Sequence, residues 1–345
     1  MKLKKSSETI IKIFKSNGFV LSEPDVLLDS EFIVERSGEK FRRSMLTFER
    51  EDGKIMCLRP DLTVASCIGF LKKKSSSKIY YSGQAYRRSS SKGSDFINNQ
   101  LGIEILGSKN QIQDDFKVIS TILNSAIKIK SKKIHIKVGD VSLFKSLINA
   151  LDMPERWKLR LIRHFWRPRY FEELLKRLET NTDIDAVTFD IDKKKFFEMK
   201  KFDQKKVVAG RTISEILKRF EKKIKDPRSF NDGKQIVKII KSYLKINCKL
   251  SNLDEKLLDF IKKNNLQKTI FKELKSIQNL KKLKQDINFI TNFGRDVEYY
   301  TGIVFEIFSG KKEIARGGRY DDLLKSLGAK KNIPAVGAAI NLKNI

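Results

Sequence analysis

The spacing of apolar residues predicts a definite order of helices and strands in the first part of the chain. Apolar positions recur with helical spacing in residues 8–16 and 112–129, and they alternate with polar ones in residues 134–138. The segment MLTFEREDGKIMCLRPD predicts a hairpin that turns at Glu51-Asp52-Gly53. A second strand pair, KIYYSGQAYRR and NNQLGIEILG, flanks a polar, serine-rich loop. This part of the chain is therefore expected to combine a sheet with helices.

The pattern changes over residues 142–285, where helical spacing dominates and strand alternation nearly disappears. Strand patterns return over 287–308 and 333–342. Strands, then helices, then strands indicate one mostly antiparallel sheet that is interrupted by a helical insertion. We therefore predict an α+β fold in three segments: a core whose first part is 1–141, a helical insertion over 142–285, and the last part of the core in 286–345.

Charge is the strongest compositional bias, with 72 basic and 42 acidic residues and a net charge of +30. A charge of this size is typical either of a protein that attracts nucleic acid or of one with a lysine-rich surface. The lysines are spread along the whole chain rather than gathered in one basic arm. We favour the lysine-rich surface, and tRNA is not an expected partner.

Cysteines and histidines give no sign of a metal centre. The three cysteines and two histidines are scattered without a CxxC or HxxxH pair, so neither a disulfide framework nor a metal site is expected. No apolar run approaches the roughly 18 residues of a membrane helix. The amino-terminal segment lacks the apolar core of a signal peptide, so we expect a cytoplasmic protein without membrane contact.

The predicted strand NQLGIEILG carries a carboxylate between apolar residues. Alternation places Gln100, Gly102 and Glu104 on one face, opposite a face that belongs to the core. A carboxylate in such a strand is costly unless a partner compensates it, and Gly102 leaves room for a ligand against the backbone. Glu104 therefore either binds a ligand or forms an internal ion pair with a lysine, and the strand alone favours neither.

Two other segments carry candidate polar groups. In CLRPDLT, Asp61 follows the strand-breaking Pro60, where it would either hold an ammonium group or cap the next helix. In GRDVEYYTGIVFE, strand alternation places Tyr299 and Tyr300 on opposite faces, and Arg295 is a candidate partner for a carboxylate or phosphate. The glycine signatures of dinucleotide and P-loop sites are absent from the sequence, so it gives no support for those functions.

These segments occur in the order CLRPDLT, YRRSSSKG with NNQLGIEILG, GRDVEYYTGIVFE, ARGGRYDDLL and IPAVGAAINL. In that order they resemble the successive motifs of the histidyl-tRNA synthetases, over about residues 1–140 and 287–345. The resemblance implies the catalytic core of a class II aminoacyl-tRNA synthetase, a mostly antiparallel sheet flanked by helices. It leaves the helical insertion unassigned.

The resemblance also implies a pocket for free histidine. Its ammonium, carboxylate and imidazole groups are matched in turn by Asp61 with Thr63, by Gln100 with Arg87, and by Glu104 with Tyr300. Asp61 stands where the family usually has a glutamate. The whole implied histidine-binding set is Asp61, Thr63, Arg87, Gln100, Glu104, Arg295, Tyr299, Tyr300 and Tyr320.

The nucleotide half of the site departs from the synthetase pattern. Motif 2 reads Arg87-Arg88-Ser89 without its usual glutamate, and motif 3 has Asn344 where the family has an arginine. The loss of charged partners for a triphosphate weakens transition-state stabilisation. We therefore expect no catalytic residues, no cofactor and no aminoacylation activity, and we expect no anticodon-binding domain.

In this combination the chain resembles the regulatory subunits of ATP phosphoribosyltransferase, the enzyme of the first step of histidine biosynthesis. The resemblance implies a non-catalytic subunit that activates the short-form catalytic subunit within a hetero-octamer and mediates feedback inhibition by L-histidine. A homodimer through the class II core is the expected minimal unit, with Pro24 in the segment that would build it. The alternatives are an active histidyl-tRNA synthetase-like enzyme and a histidine- or tRNA-binding paralogue.

Overall fold

The structure is a computed structural model that describes residues 2–345 apart from 38–41, 43, 74–76, 89–95, 130–132, 181–185, 209, 225–229 and 295–297. The candidate residue Arg295 and the motif 2 residue Ser89 lie outside the described residues. The chain divides into two compact units. The first unit comprises Met1–Leu143, Asn247–Leu257 and Lys272–Ile345, and the second comprises Phe144–Ile246 and Leu258–Phe271.

The strands are numbered along the chain. The described strands are β1 Val20–Leu21, β2 Leu27–Asp29, β3 Leu46–Glu49, β4 Ile55–Leu58, β5 Lys78–Tyr86, β6 Ile97–Leu106, β7 Ile134–Asp140, β8 Val207–Val208, β9 Arg211–Thr212, β10 Asn247–Lys249, β11 Asp286–Ile290, β12 Ile303–Ser309, β13 Lys312–Arg319 and β14 Ala335–Asn341. Nine of them form one sheet in the order β1-β5-β6-β14-β13-β12-β7-β11-β10. Among the described strands of this sheet, only the pairs β1–β5 and β7–β11 are parallel.

The helices are numbered in the same way. The described α-helices are α1 Lys2–Ser16, α2 Ser30–Ser37, α3 Leu62–Lys73, α4 Gln111–Ile129, α5 Val141–Ala150, α6 Glu155–His164, α7 Pro168–Thr180, α8 Ala186–Met199, α9 Ile213–Ile224, α10 Phe230–Leu244, α11 Leu253–Lys263, α12 Lys275–Asn279 and α13 Leu323–Ser326. Short 3-10 helices lie at Leu250–Asn252, Lys268–Leu274, Leu280–Leu283 and Leu342–Asn344.

One part of the core of the first unit lies between the large sheet and helix α4. On β6 the alternating residues Leu101, Ile103 and Ile105 are buried, as the sequence pattern predicts. Helix α4 packs against β13 and β14. An ion pair fixes this contact, because the Nε and Nη2 atoms of Arg319 lie 2.9 and 2.6 Å from Oδ1 of Asp115 on α4. Both side chains are almost fully buried.

An aromatic cluster organises the second unit. The ring of Phe144 stacks on that of Phe165 with 3.9 Å between centroids, and Phe171 meets both rings edge-on. Tyr243 packs against Phe144 and also against Phe260 and Phe271. Large aromatic rings bury much apolar area per residue, so they give these helices a core of their own.

The main structural predictions are confirmed. The fold is α+β, the large sheet is mostly antiparallel, and β3 and β4 form the predicted hairpin, with Gly53 at a φ of 76° in its turn. The first helix begins at Lys2 rather than near Glu8, and the polar residues Lys4 to Ser7 lie within it without an apolar spacing that would reveal them. Across the part of the chain that the structure describes, no helix combines the length and the apolar character that a membrane span requires.

Candidate functional site

A cavity of about 200 Å³, which we call the sheet cavity, lies in the first unit beside the adjacent strands β6, β14 and β13. Its volume is below the roughly 300–1,000 Å³ of sites for drug-sized ligands, so it suits a smaller metabolite. Strand alternation and the start of helix α3 direct polar side chains into it. The predicted residues that line it are Asp61, Thr63, Arg87, Gln100, Tyr299, Tyr300 and Tyr320.

Glu104 is fully buried beneath the sheet cavity, behind lining residues that bind it. Its Oε1 accepts hydrogen bonds from Thr63 Oγ1 at 2.7 Å and from the Tyr81 hydroxyl at 3.2 Å, and its Oε2 accepts one from the Tyr320 hydroxyl. Burial raises the pKa of Glu104 to about 8, although these hydroxyl donors oppose the rise. The described partners of Glu104 are hydroxyl groups and not a lysine, so the ion-pair alternative is not formed among the described residues, and Glu104 reaches the cavity through Thr63 and Tyr320.

Two glycines make the space for this carboxyl and for one of its partners. Gly337 lies opposite Glu104 in the β6–β14 register, and a Cβ on Gly337 would overlap Glu104 Oε2. Gly102 lies opposite Tyr81 in the β5–β6 register, and a Cβ on Gly102 would overlap the Tyr81 ring. The space that the sequence assigns to a ligand at Gly102 is therefore filled by the Tyr81 ring. Strand register, which is not visible in the sequence pattern, is what identifies Tyr81.

Asp61 caps a helix and also forms an ion pair. Its Oδ1 accepts a hydrogen bond from the backbone N–H of Val64 at 3.1 Å, which fixes the first turn of α3. Its Oδ2 lies 2.9 Å from Arg87 Nη2 and 3.5 Å from the Tyr299 hydroxyl. The Asp61 side chain is 12% exposed and that of Arg87 is 45% exposed. Asp61 therefore caps the helix, as one of the two predicted alternatives has it. Asp61 and Arg87 also both line the cavity, so the pair presents one negative and one positive group to it.

Three tyrosine rings form an edge-to-face cluster at the sheet cavity. The Tyr299 ring centroid lies 5.2 Å from that of Tyr300 and 5.8 Å from that of Tyr320. Strand alternation predicts opposite faces for Tyr299 and Tyr300, but both line the cavity. The prediction is wrong because β12 begins only at Ile303, so both tyrosines precede the strand and its two-residue alternation does not apply to them.

Arg316 is a further cation at the cavity that was not predicted from the sequence. Its Nη2 lies 2.8 Å from both Glu306 Oε1 and Glu313 Oε2, and its Nε lies 2.9 Å from Glu313 Oε1. Burial lowers the pKa of Arg316, but the two glutamates outweigh burial and raise it. Arg316 lies two residues before Gly318 on β13, so the two residues belong to the same face of the strand. A Cβ on Gly318 would press on the Tyr300 ring, which identifies this face as the one beside the cavity.

Arg88 and Asn344 are the described residues next to or at the departures in the nucleotide half of the motif set. The backbone N–H of Arg88 donates to the carbonyl of Ser44 at 2.7 Å. Asn344, at the position of the motif 3 arginine, donates from its side-chain amide to the carbonyl of Glu313 at 2.7 Å. A neutral amide that is bound to the backbone therefore stands at this position.

Comparisons with known sequences agree along nearly the whole chain. A family model described as histidyl-tRNA synthetase matches residues 1–345. An ATP phosphoribosyltransferase regulatory subunit from Mesorhizobium japonicum is 27% identical, over 97% of this chain and 95% of its own length. A protein of the same name from Allorhizobium ampelinum is 28% identical, over 96% of this chain and 94% of its own length.

Solved structures share the fold. A protein from Bacillus halodurans, described as an ATP phosphoribosyltransferase regulatory subunit/histidyl-tRNA synthetase, has a TM-score of 0.65 and 16% identity, over 99% of this chain and 77% of its own. A histidyl-tRNA synthetase from a Nostoc species has a TM-score of 0.62 and 15% identity, over 99% of this chain and 70% of its own. The chain therefore belongs to the histidyl-tRNA synthetase family, has the α+β fold of the class II core, and is similar along nearly its whole length to regulatory subunits of ATP phosphoribosyltransferase.

Proposed function

We propose that this protein is a non-catalytic regulatory subunit of ATP phosphoribosyltransferase that binds free L-histidine in the sheet cavity. The observation that carries the proposal is the built amino-acid site: a small polar cavity over the hydroxyl-bound, buried Glu104. The names of the sequence relatives support the same enzyme complex. This function places the chain in histidine biosynthesis, at the step that its end product would inhibit.

The charges of the sheet cavity match a free amino acid. The backbone part of a free amino acid carries one ammonium and one carboxylate group. The adjacent Asp61 and Arg87 side chains provide a group of opposite charge for each of them. We assign the ligand ammonium to Asp61 with Thr63 and its carboxylate to Arg87 with Gln100. Each of these four residues lines the cavity.

The imidazole is assigned to the deeper side of the cavity, where Tyr300 and Tyr320 lie above Glu104. A buried carboxyl whose pKa is raised to about 8 changes protonation when a cation approaches. An imidazolium next to the Tyr320 hydroxyl would favour the ionised form of Glu104. This coupling selects a titratable ring over an aliphatic side chain of similar size.

Regulation then follows from linkage. Histidine can shift the complex between two arrangements by no more than its difference in affinity for them, typically about 1–3 kcal/mol. No chemistry by this chain is required. We propose a homodimer through the class II core as the minimal unit and a hetero-octamer with the short-form catalytic subunit, in the cytoplasm.

An aminoacylating enzyme is the alternative, and Asn344 argues against it. Its neutral side chain is engaged with the backbone of Glu313, so it offers no charge to a triphosphate. Histidine-dependent exchange of pyrophosphate into ATP by the purified protein distinguishes the two functions. The proposal predicts no exchange above background, and clear exchange would overturn the non-catalytic assignment.

The direct test is co-purification with a short-form ATP phosphoribosyltransferase catalytic subunit, followed by assays with and without L-histidine. We expect a stable complex, activation of the catalytic subunit, and inhibition on addition of histidine. In a complex with Glu104→Gln, histidine inhibition should be weakened at least tenfold. Glu49→Gln is the matched control, because Glu49 is exposed on β3. Failure of the two chains to associate would contradict the proposal.

A further inference from the structure

A second cavity, of about 910 Å³, lies within the second unit and is lined by five arginines. We call it the arginine cavity. Its volume falls in the roughly 300–1,000 Å³ range of small-molecule sites. The arginines are Arg156, Arg160, Arg163, Arg211 and Arg219.

One wall of the arginine cavity is a face of helix α6. Arg156, Arg160 and Arg163 are spaced by four and three residues, so they lie on the same face of the helix. The buried Trp157 positions two of them, with the guanidinium carbons of Arg156 and Arg160 at 5.4 and 4.9 Å from its ring centroid. Side chains on one helix face can contact the same bound group, so an anion in the cavity would meet several guanidinium groups of helix α6.

Residues of β9 and helix α9 form a second wall of the arginine cavity. Arg211 belongs to β9, and Arg219 follows on helix α9. A reciprocal cap fixes the start of this helix: the backbone N–H of Thr212 donates to Glu215 Oε2 at 2.9 Å, and the backbone N–H of Glu215 donates to Thr212 Oγ1 at 3.2 Å. This cap lies between Arg211 and Arg219 in the chain, so it fixes the turn from β9 into α9.

The charge of the arginine cavity is one-sided. Among the described residues that line it there is no carboxylate. His164 also lines it, and its buried Nδ1 has no hydrogen-bond partner in the described part of the chain. Burial lowers the pKa of His164, and the cations Arg167, Arg163 and Arg160 lower it further. Several cations that face one concave space create a strong positive potential, which an anion would relieve.

The remaining lining is apolar and aromatic, including Tyr170 at an edge-to-face distance of 4.7 Å from His164, and Phe220 on α9. Guanidinium groups bind phosphate through paired hydrogen bonds, and aromatic rings stack on planar heterocycles. We propose that the arginine cavity binds a small phosphorylated ligand of nucleotide size, with its phosphates on the arginines and its ring beside Tyr170 and Phe220.

The arginine cavity shares no lining residue with the sheet cavity, and its lining combines five arginines with apolar and aromatic side chains. Those features favour a mononucleotide over a nucleic acid strand, whose recognition uses an extended basic groove.

The test uses the full-length protein and titration calorimetry with ADP and with inorganic pyrophosphate at physiological salt. We expect both to bind, with ADP the tighter of the two because only ADP has a ring to place on the apolar wall. The double variant Arg163→Gln/Arg219→Gln should weaken ADP binding at least tenfold. The control is Lys200→Gln/Lys201→Gln, which removes the same charge from exposed residues of the second unit that do not line the cavity.

Three outcomes would overturn the proposal. One is the absence of ADP and pyrophosphate binding at millimolar concentration, and another is an equal loss in the control variant, which would indicate unspecific attraction to a basic surface. The third is displacement of ADP by a short single-stranded RNA of far higher affinity. If the double variant does not fold, Arg211→Gln is the substitute, because Arg211 is exposed on a two-residue strand; its ADP affinity should fall by several-fold.

Discussion

The sheet cavity and the arginine cavity differ in the sign of the charged side chains that line them. In the sheet cavity, Asp61 pairs with Arg87, Arg316 pairs with two glutamates, and the buried Glu104 accepts hydrogen bonds from three hydroxyls. The arginine cavity has five guanidinium groups and no carboxylate among its described lining residues. The first site is preorganised by its own side chains of both signs, whereas the described charged side chains that line the second are cations.

This difference determines what each site can recognise. A cavity with paired charges of both signs suits a small zwitterion. The ligand ammonium can take the place of an arginine beside a carboxylate, and the ligand carboxylate can take the place of a carboxylate beside an arginine. A cavity with charges of one sign suits an anion and attracts it over a distance. The contrast leads to effects on stability, on pH dependence, on histidine affinity and on salt dependence, which decrease in size in that order.

The same substitution should have very different effects on stability in the paired and in the one-sided environment. Arg319→Gln removes one partner of the buried Arg319–Asp115 pair and should cost about 3–5 kcal/mol of unfolding free energy. Arg163→Gln lies in the arginine cavity and should change it by less than about 0.5 kcal/mol, because Arg163 is exposed among like charges. Urea unfolding followed by circular dichroism measures the first variant.

Both tryptophans, Trp157 and Trp166, belong to the second unit, so their fluorescence follows Arg163→Gln separately. Equal destabilisation by the two substitutions would remove the contrast between the buried Arg319–Asp115 pair and the arginine cavity. A gain in stability for Arg163→Gln would strengthen it, since repulsion would have been relieved.

Glu104 should make stability depend on pH. Because burial raises its pKa from 4.5 to about 8, the folded protein keeps a proton that the unfolded chain releases. The contribution of Glu104 to stability is therefore fully present below pH 4.5 and is lost as pH rises through 8, with a slope of about 1.4 kcal/mol per pH unit between the two values. Glu104→Gln should be flatter over this range, as urea midpoints at several pH values would measure.

Glu49→Gln is the control for this titration, because Glu49 is exposed on β3 and should leave the pH profile of the protein unchanged. Parallel profiles for the wild type and Glu104→Gln would mean that Glu104 is ionised in the folded protein at neutral pH, which contradicts a buried, protonated carboxyl.

Removing one hydroxyl from the Glu104 network should weaken histidine binding. Thr63→Val keeps the shape of the side chain but loses the 2.7 Å hydrogen bond to Glu104 and a polar group at the cavity wall. A hydrogen bond to a polar partner contributes about 0.5–1.5 kcal/mol, so histidine affinity should fall roughly two- to tenfold. Thr47→Val on the exposed strand β3 is the matched control, with no change expected in calorimetry.

Salt should distinguish the two sites by a smaller effect. Charges in the arginine cavity are partly exposed, so an increase in ionic strength should weaken ADP binding several-fold. Histidine binding should respond less, because the sheet cavity is lined by charges of both signs that pair with each other. Calorimetric titrations at two salt concentrations measure both responses, and equal salt sensitivity of the two ligands would contradict the charge contrast.

The sequence predicts the strand-based parts of the site better than the parts that depend on strand register. The alternation in NQLGIEILG correctly gives the buried face of β6 and the inward position of Glu104. Tyr81 and Arg316 were not predicted, because their neighbours are set by pairing with β6 and by carboxylates on β12 and β13. Tyr299 was misplaced because the strand starts later than its apolar pattern suggests.

The helical insertion shows a different limit. Its apolar spacing predicts helices, and the described residues contain them, but a cavity lined by arginines from α6, β9 and α9 needs three-dimensional proximity that spacing cannot supply. The net charge of +30 is spread along the chain and comes largely from lysines. A local cluster of arginines therefore does not stand out in the sequence.

Whether the sheet cavity is a histidine sensor is decided by titration of L-histidine into the purified protein by isothermal calorimetry, beside Glu104→Gln and Arg163→Gln/Arg219→Gln. We predict one histidine per chain, at least tenfold weaker binding in Glu104→Gln, and unchanged binding in the arginine-cavity variant. The absence of histidine binding by the folded wild-type protein, or equal affinity in Glu104→Gln, would contradict the assignment of the sheet cavity as a histidine sensor.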